Sequence, residues 1–385
     1  MKPTDFSTKA PGKVVRTQQG YDAFIPAPLP PDVTWSGKIL SALSKADRSL
    51  ARLAEVGNAF PVPLVVAQTF VRKEAVLSSR IEGTRTSFEE LLTFEVQQLS
   101  FFSDPADARE VHNYVRAMDH GLARLETLPV GLRLIREIHA LLMEGVRGGA
   151  ATPGELRRGQ NWIGRPGATL NEAVFVPPPV DEMKDCLSDL ERYIHAPSDL
   201  PPLLRIGLVH YQFEAIHPFV DGNGRAGRLL VTFLLVFWGL LAQPLLYLSR
   251  FIEANRREYY DLLLAVSRHG AWEAWLLYFL EGVHSEAQDA AQRIARLEQL
   301  REDYRVRFAN DRSRENLGRV VDYLIGTPIT TINRAQEELG LGSYTTIQRY
   351  IEKLEKLGII GEVTGKARNR VYRAEGILKM LEEAV

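Results

Sequence analysis

The sequence predicts a mainly α-helical protein built from several units. Apolar residues recur three and four positions apart along most of the 385 residues, which is the spacing of one helix face. Strand patterns are short and fall near the C-terminus, at 359–363 and 370–372. A chain of this length can hold two or three domains that each bury a core. We therefore expect helical units joined by loops, with only small amounts of sheet.

The composition is that of an ordinary soluble globular protein, with 45% hydrophobic and 25% charged residues. A net charge of −1 gives no overall attraction to nucleic acid or to an anionic membrane. The single cysteine, Cys186, excludes an intramolecular disulfide framework and a cysteine zinc cluster. Residues 1–20 are polar and lack the apolar core of a signal peptide. We expect a cytoplasmic protein.

The N-terminal region is expected to cover residues 1–104. A proline-rich arm at 24–31 predicts an extended segment laid over the surface. Helical spacing begins near Trp35 and places five apolar residues on one side of a first helix: Ile39, Leu40, Leu43, Leu50 and Leu53. Proline ends this helix, and a second helix is predicted at about 64–83, where Gly83 suits a C-cap.

The central unit is predicted to span 105–283. Helical patterns at 110–118 and 135–142 open it, and the histidines in helical contexts are expected to pack or to form hydrogen bonds: His112, His139 and His210. Residues 229–248 carry no charge over about the length that spans a bilayer. Gly239 and Pro244 interrupt this stretch, so we expect a buried central helix that ends near Gly239, followed by a turn.

The densest chemistry lies between two predicted helices, at His217-Pro-Phe-Val-Asp-Gly-Asn-Gly-Arg-Ala-Gly-Arg228. Gly222 and Gly224 permit backbone conformations in which successive N–H groups converge where the next helix begins, so an anion such as phosphate fits there. Arg225 and Arg228 are three residues apart and share a helix face that can reach a polyphosphate. The glycine spacing also matches a dinucleotide-binding turn, but that turn needs a preceding strand, and here a helix precedes.

The complete string resembles the signature of the Fic (Fic/Doc) family, His-x-Phe-x-Asp/Glu-Gly-Asn-Gly-Arg-x-x-Arg, at every specified position. This resemblance implies transfer of AMP from ATP to a Ser, Thr or Tyr hydroxyl of a target protein. His217 would be the base, Asp221 would hold Mg²⁺, and Arg225 and Arg228 would bind the β- and γ-phosphates. The other phosphate contacts would come from Gly222, Asn223 and Gly224.

A second segment, Ser78-Ser-Arg-Ile-Glu-Gly83, resembles the inhibitory motif of regulated Fic proteins. Ser78 and Glu82 are four residues apart and share a helix face. The resemblance implies that Glu82 pairs with Arg228, occupies the γ-phosphate position and prevents productive ATP binding.

Two weaker resemblances extend the predicted site. Residues 155–164 are similar to the segment that precedes the Fic flap. The flap is a short hairpin that would add a strand to the target segment and so position its hydroxyl. Phe175, Val176 and Pro177 would complete this hairpin. Tyr259 and Tyr260 resemble the tyrosine pair that lines the adenine pocket, although aromatic residues on helices are more often core.

Residues 284–312 are rich in Ala, Gln, Glu and Arg and predict a connecting helix. Three helices and two strands then follow within 313–385, an order that resembles a winged helix-turn-helix. Its third helix would offer Ser343, Tyr344, Thr345, Gln348 and Arg349 to a groove, and its wing would offer Lys366, Arg368 and Arg370. Residues 315–385 contain equal numbers of acidic and basic residues, so DNA and protein both stay open as partners.

Two functions from different classes follow. The first is an autoinhibited protein adenylyltransferase that uses ATP and Mg²⁺, with removal of AMP by the same site and a homodimeric state left open. The second is a DNA-binding transcriptional regulator whose Fic-like domain senses ATP. The intact His217 and Asp221 favour the enzyme, because a sensor needs no base.

Overall fold

The computed structural model describes residues 1–33, 35–97, 105–146, 152–165, 167–366 and 368–382. The described chain is mainly helical, with a two-stranded and a three-stranded antiparallel sheet. The predicted fold class is therefore confirmed. Along these described residues, no helix is both long enough and apolar enough to cross a membrane.

The N-terminal region begins with a β-hairpin that the sequence analysis did not predict. Strands β1 (Gly12–Arg16) and β2 (Asp22–Pro26) pair antiparallel. The prediction of an extended surface arm from residue 24 was wrong in part, because Phe24 is fully buried and lies in β2.

Three helices follow the hairpin: α1 (Gly37–Ala59), α2 (Pro63–Ile81) and α3 (Phe88–Gln97). Helix α2 starts on a proline, whose missing N–H costs nothing at this position. It ends before Gly83, whose φ of +106° suits glycine. Both predicted helices are confirmed, but Leu40 is 57% exposed and does not belong to the apolar face. Helix α3 was not predicted.

The described residues of the central unit form seven α-helices before the long helix described next. Their bounds are α4 (Pro105–Arg124), α5 (Leu132–Leu142), α6 (Val180–His195), α7 (Pro202–Ile216), α8 (Asn223–Phe237), α9 (Ser249–Ala254) and α10 (Arg256–His269). Nearly every residue of α7 and α8 is buried, so these helices form the centre of the unit. The predicted end of the central helix near Gly239 is confirmed.

A single helix, α11 (Trp272–Arg307), runs from the central unit to the C-terminal residues. The predicted boundary between 283 and 284 falls inside this helix, and the division into domains stays a prediction. Helix α1 packs along α11, where the Ser49 hydroxyl and Nδ1 of His284 are 2.8 Å apart. The N-terminal region and the central unit therefore share one helical framework.

The C-terminal unit follows α11, and its part within 308–366 and 368–382 forms four helices and three strands. In chain order they are α12 (Arg314–Gly326), β3 (Ile329–Thr331), α13 (Ile332–Leu339), α14 (Tyr344–Lys356), β4 (Gly361–Glu362), β5 (Val371–Arg373) and α15 (Glu375–Glu382). Strand β5 lies between β3 and β4, and both pairings are antiparallel. The three predicted helices and two predicted strands are confirmed, whereas β3 and α15 were missed.

Helices α4 and α8 approach each other closely at Gly121. A Cβ atom there would lie 2.2 Å from Cζ of Phe233, which is fully buried. Overpacking of this kind costs about 1–3 kcal/mol, and alanine gains up to ~1 kcal/mol over glycine in a helix. We expect Gly121→Ala to lower the thermal unfolding midpoint by about 2–4 °C, measured by calorimetry.

The matched control is Gly37→Ala at the start of α1, where a Cβ would meet no atom within 4 Å. This control should leave the midpoint at or above the wild-type value. A Gly121→Ala midpoint equal to that of the control would contradict the close helix crossing.

Candidate active site

His217 lies at the C-terminal end of α7 in a left-handed backbone conformation, with φ 50° and ψ 61°. Its N–H donates to the carbonyl of Phe213 at 3.0 Å and so caps the helix. Its own carbonyl accepts hydrogen bonds from Nε of Arg157 at 3.0 Å and from Nδ2 of Asn161 at 3.2 Å. These contacts hold a conformation that is uncommon for a residue other than glycine.

The imidazole of His217 has one defined tautomer. Nδ1 lies 3.3 Å from the carbonyl oxygen of Glu214, and a carbonyl can only accept, so Nδ1 carries the proton. Burial lowers the pKa of His217 to about 4, and the cationic Arg157 acts in the same direction. The ring is therefore neutral near pH 7, with a lone pair on Nε2 that can accept a proton.

Asn223 organises the loop between α7 and α8. Its Oδ1 accepts the N–H of Phe219 at 2.9 Å, and its Nδ2 donates to the Phe219 carbonyl at 2.9 Å. Since the buried side chain already has a partner for each polar group, any contact of Asn223 with phosphate falls to its backbone. Its role in binding ATP stays a prediction.

His139 supports the same loop from α5. Its ring stacks on Phe219 with centroids 3.7 Å apart. Nδ1 accepts the N–H of Gly154 at 3.0 Å, so the proton is on Nε2, which donates to the Asp221 carbonyl at 2.9 Å. The expectation that His139 packs and forms hydrogen bonds is confirmed.

Asp221 and Gly222 form the turn into α8. The Asp221 side chain is exposed, and its Oδ1 accepts the N–H of Gly222 at 2.6 Å. Gly222 has a φ of +78°, and a Cβ there would lie 2.8 Å from Sδ of Met143. Conformation and space both require glycine. The first turn of α8 then presents N–H groups that have no partner within the helix, which is an anion-binding arrangement.

The Arg225 side chain does not point toward this anion-binding arrangement. It is 3% exposed, its Nη1 lies 3.2 Å from Oε2 of Glu110, and its Nη2 lies 3.5 Å from Sδ of Met143. The prediction that Arg225 binds the β-phosphate conflicts with this placement, because its charge is paired with α4 behind the loop.

Arg228 contacts two residues of the predicted inhibitory motif, Ser78 and Glu82, of which Glu82 was the predicted partner. Its Nε donates to the Ser78 hydroxyl at 2.7 Å and its Nη2 donates to the Ser78 carbonyl at 3.0 Å. The same Nη2 lies 2.7 Å from Oε1 of Glu82. Burial alone would lower the pKa of Arg228, but the charge of Glu82 outweighs it and keeps the pKa above its ordinary value. Burial likewise opposes ionisation of Glu82, and Arg228 holds the pKa of Glu82 below its usual range.

The Glu82 carboxylate also lies over the start of α8. A Cβ at Gly224 would be 2.4 Å from Oε1 of Glu82 and 3.0 Å from Nη1 of Arg228. Glu82 is therefore an anion placed at the N-terminus of this helix, in front of the buried guanidinium of Arg228.

Glu214 is a residue of the site that the sequence analysis missed. Its Oε1 is buried without a hydrogen-bond partner among the described residues, and a Cβ at Gly227 would lie 2.3 Å from it. Burial raises the pKa of Glu214 to about 7, and the negative charge of Glu82 adds to this effect. A carboxylate in the otherwise apolar last turn of α7 was the available signal.

The two predicted adenine-pocket tyrosines occupy different environments. Tyr259 is 1% exposed, and its hydroxyl lies 2.9 Å from Nε2 of His210. Tyr259 is therefore a core residue, and its predicted place in the adenine pocket stays a prediction. Tyr260 is 41% exposed, with the guanidinium of Arg256 5.8 Å from its ring centroid.

The predicted flap is reduced to one antiparallel bridge between Ile163 and Phe175. Phe175, Val176 and Pro177 are buried, and the Val176 carbonyl accepts the N–H of Phe24 in β2 at 2.9 Å. These three side chains anchor the segment to the protein, and the prediction that a flap here docks the target segment stays a prediction. Three other apolar side chains face solvent here: Trp162, Ile163 and Val174.

Arg157 connects this segment to the loop between α7 and α8. Besides the His217 carbonyl, its guanidinium donates to the carbonyls of Gly159 and Pro178. Arg157 is 2% exposed, and burial lowers its pKa to about 10. Its place just ahead of the predicted flap was the only sequence signal for this role.

The architecture is thus a helical fold in which a histidine and an anion-binding loop join two buried central helices. Two family models match the chain: the Fic/DOC family N-terminal region over residues 40–123 and the Fic/DOC family over residues 127–235. The chain belongs to the Fic/DOC family.

Two curated relatives are protein adenylyltransferase Fic from Drosophila virilis, 31% identical over 132 residues, and from Drosophila melanogaster, 30% identical over the same length. Each alignment covers 32% of this chain and 25% of the relative. The chain thus matches about a quarter of the length of these relatives.

Two solved structures are similar in fold. A Fic family protein from Desulfovibrio desulfuricans has a TM-score of 0.57 at 21% identity, covering 90% of this chain and 98% of that protein. Fic-1 from C. elegans has a TM-score of 0.51 at 21% identity, covering 68% and 74%. These similarities support the helical architecture.

The low pKa of His217 can be measured directly. With a pKa of about 4, the imidazole stays neutral, so its Cε1–H resonance should not move between about pH 5.5 and 7.5. NMR with labelled histidine measures this, and the His217→Ala variant identifies the resonance by its loss. An inflection near pH ~6.5 would contradict the desolvated environment.

Proposed function

We propose that this protein is a protein adenylyltransferase that moves AMP from ATP to a Ser, Thr or Tyr hydroxyl of a target protein, and that Glu82 inhibits it. The observation that carries this proposal is the neutral His217, whose free Nε2 stands beside an anion-binding helix start. The names of the curated relatives support the same reaction.

In this reaction the target hydroxyl oxygen attacks the α-phosphorus of ATP, and Nε2 of His217 takes the hydroxyl proton. A bond forms between the target oxygen and the α-phosphorus, and the bond from the α-phosphorus to the bridging oxygen breaks, releasing pyrophosphate. The proton finishes on His217. Catalysis of this kind depends on positioning and on stabilisation of charge.

The residues present fit a magnesium ion bound together with ATP. Mg²⁺ usually takes one or two protein carboxylates and completes its shell with phosphate oxygens and water. Asp221 supplies an exposed carboxylate at the mouth of the loop. When bound there, the ion would neutralise phosphate charge.

The inhibitory role of Glu82 follows from competition between two anions. Arg228 is buried and directs its Nη2 at Glu82, and the carboxylate also lies over the start of α8. A γ-phosphate that reaches Arg228 must displace this carboxylate, since two anions at one guanidinium repel. Glu82 therefore weakens ATP binding until it moves.

We assign the contacts with the nucleotide base and with the target segment to exposed side chains. We propose that adenine stacks near Tyr260, whose exposed ring already has Arg256 beside it. The target segment would add to the exposed edge at Trp162 and Ile163 rather than contact the buried residues at 175–177.

The proposal is tested with α-labelled ATP, Mg²⁺ and cell lysate. Glu82→Gly should increase labelled protein at least about tenfold over wild type, because Arg228 becomes available to phosphate. Glu82→Gln keeps the size without the charge and should give an intermediate increase. Label is read from gels, with mass spectrometry giving the adduct mass and the acceptor residue.

The control for chemistry is the double variant Glu82→Gly/His217→Ala, which should return labelling to background. Equal label with and without His217, or no label in any folded variant, would refute the enzymatic function. No increase in Glu82→Gly alone would refute the inhibitory role.

A second function is favoured by the exposed face of the C-terminal unit. We propose that this unit is a winged helix-turn-helix, because its helices and strands follow the order helix, strand, helix, helix, strand, strand. The start of α14 and the adjacent turn present exposed polar and basic side chains: Tyr344, Thr345, Arg349, Lys366, Arg368 and Arg370. Such a face suits a DNA groove.

DNA binding is tested with the full chain and random-sequence duplex in a salt series. Arg349→Ala should weaken binding, because a phosphate contact is lost. The slope of the logarithm of the binding constant against the logarithm of the salt concentration should become shallower by about one. Lys356→Ala removes an exposed charge at the far end of α14 and should bind like wild type. Equal effects of the two variants, or no shift at low salt, would contradict a groove-binding role.

A further inference from the structure

The helix that carries Glu82 has two buried polar faces, and they contact different parts of the protein. Glu74, Ser78 and Glu82 recur every four residues on one face of α2, whereas Val65, Thr69 and Lys73 recur every four residues on a roughly opposite face. Both Thr69 and Lys73 are buried. A helix with polar residues buried on two faces needs partners on both sides.

The first face contacts the central unit. The Glu74 carboxylate accepts hydrogen bonds from the N–H of Ser249 at 3.1 Å and from the hydroxyl of Tyr114 at 3.1 Å. Ser78 and Glu82 bind Arg228. This face therefore places the carboxylate of Glu82 in the nucleotide site.

The second face contacts the C-terminal unit. The Thr69 hydroxyl donates to the carbonyl of Ile325 at 2.9 Å, in the last turn of α12. Lys73 donates to the carbonyl of Leu381 in α15. A Cβ at Gly326 would lie 2.6 Å from Cγ1 of Val65 and 3.1 Å from its carbonyl oxygen, so α2 and α12 are in direct contact.

Other contacts fix the C-terminal unit against the same helices. Glu95 of α3 lies 2.8 Å from Nε of Arg72 and 3.8 Å from Nη2 of Arg334 in α13. Arg293 of α11 donates to the carbonyl of Leu381 at 3.0 Å, the acceptor that Lys73 also uses. The C-terminal unit is thus held on the inhibitory helix by buried hydrogen bonds and by charge pairs.

We propose that the second face of α2 is a docking surface for the C-terminal unit, and that this docking holds Glu82 on Arg228. Separation of the two surfaces would break the hydrogen bonds that Thr69 and Lys73 donate to the C-terminal unit, loosen α2 and release the nucleotide site. By reciprocity, ATP binding weakens the docking. This inference rests on the proposed inhibitory role of Glu82.

The test places a wedge on the C-terminal side, so that the sequence of α2 is unchanged. Gly326→Leu directs a side chain into Val65. The matched control is Gly361→Leu in β4, where a Cβ would meet no atom within 4 Å. All proteins are full-length and carry His217→Ala, so that ATP binding is measured by calorimetry without turnover. Hydrogen exchange over residues 63–82 is measured in parallel.

Gly326→Leu should tighten ATP binding about fivefold or more and speed exchange in α2. Gly361→Leu should match the background protein in both measurements. Thr69→Val, which leaves the Ile325 carbonyl without its donor, should change both quantities in the same direction by a smaller amount. In a protein that also carries Glu82→Gly, Gly326→Leu should change the affinity for ATP little, because the carboxylate that Gly326→Leu would release is already absent.

Outcomes separate this inference from the proposed function. If Glu82→Gly tightens ATP binding while Gly326→Leu and Thr69→Val leave binding and exchange unchanged, the docking proposal is wrong and the inhibitory role stands. If Glu82→Gly itself has no effect on ATP binding, the inhibitory role is wrong. Weaker ATP binding in Gly326→Leu on both backgrounds would indicate general disruption and would also refute the docking proposal.

Discussion

The buried charge of Arg228 is the constraint on which the site depends. Arg228 is 3% exposed, and a guanidinium removed from water needs hydrogen-bond acceptors and an anion, since leaving such a charge unpaired costs about 3–5 kcal/mol. Ser78 supplies neutral acceptors, and Glu82 supplies the anion. Under the proposed function, a phosphate is the other anion that can stand there, so the resting and active states differ in which anion faces Arg228.

The surroundings of this pair are fixed by hydrogen bonds that leave little freedom. Both polar groups of the Asn223 side chain form hydrogen bonds with the backbone of Phe219. Both ring nitrogens of His139 form hydrogen bonds with backbone groups. Arg157 holds the His217 carbonyl. Glu82 is different, because its side chain is 33% exposed at the end of a helix. The loop is thus preorganised, whereas the Glu82 carboxylate, which under the proposed function competes with ATP, is the less enclosed of the two partners in the pair.

The sequence predicted those parts of the site that are local in the chain. The string from His217 to Arg228 forms one loop and one helix turn, so its motif specifies its own geometry. The helical periods of α1, α2, α7 and α8 were also recognisable, because apolar residues repeat at the helical spacing. The continuity of α11 was missed, because a shift to Ala, Gln, Glu and Arg was read as a boundary although these residues favour helix.

Contacts between distant segments could not be predicted in the same way. The partner of Arg225 is Glu110 on another helix, and no local pattern selects it among many glutamates. The burial of residues 175–177 could not be predicted locally, because it depends on the hairpin at 12–26. Glu82 was found only through resemblance, since it lies 146 residues from Arg228 in sequence. Tertiary packing decides such features, and periodicity carries no information about it.

The polar residues of α2 explain why Glu82 reaches Arg228 at all. An apolar helix face can slide by one turn and still bury similar area, since hydrophobic burial is not directional. Helix α2 instead buries Lys73 and Glu74 side by side, with Glu74 bonded to Ser249 and Lys73 bonded to Leu381. A one-turn shift would break both sets of contacts and leave two buried polar groups without these hydrogen bonds, at a cost of about 1–3 kcal/mol each. The register of the helix is therefore set by buried polar groups two turns before Glu82, and that register brings its carboxylate to the guanidinium of Arg228.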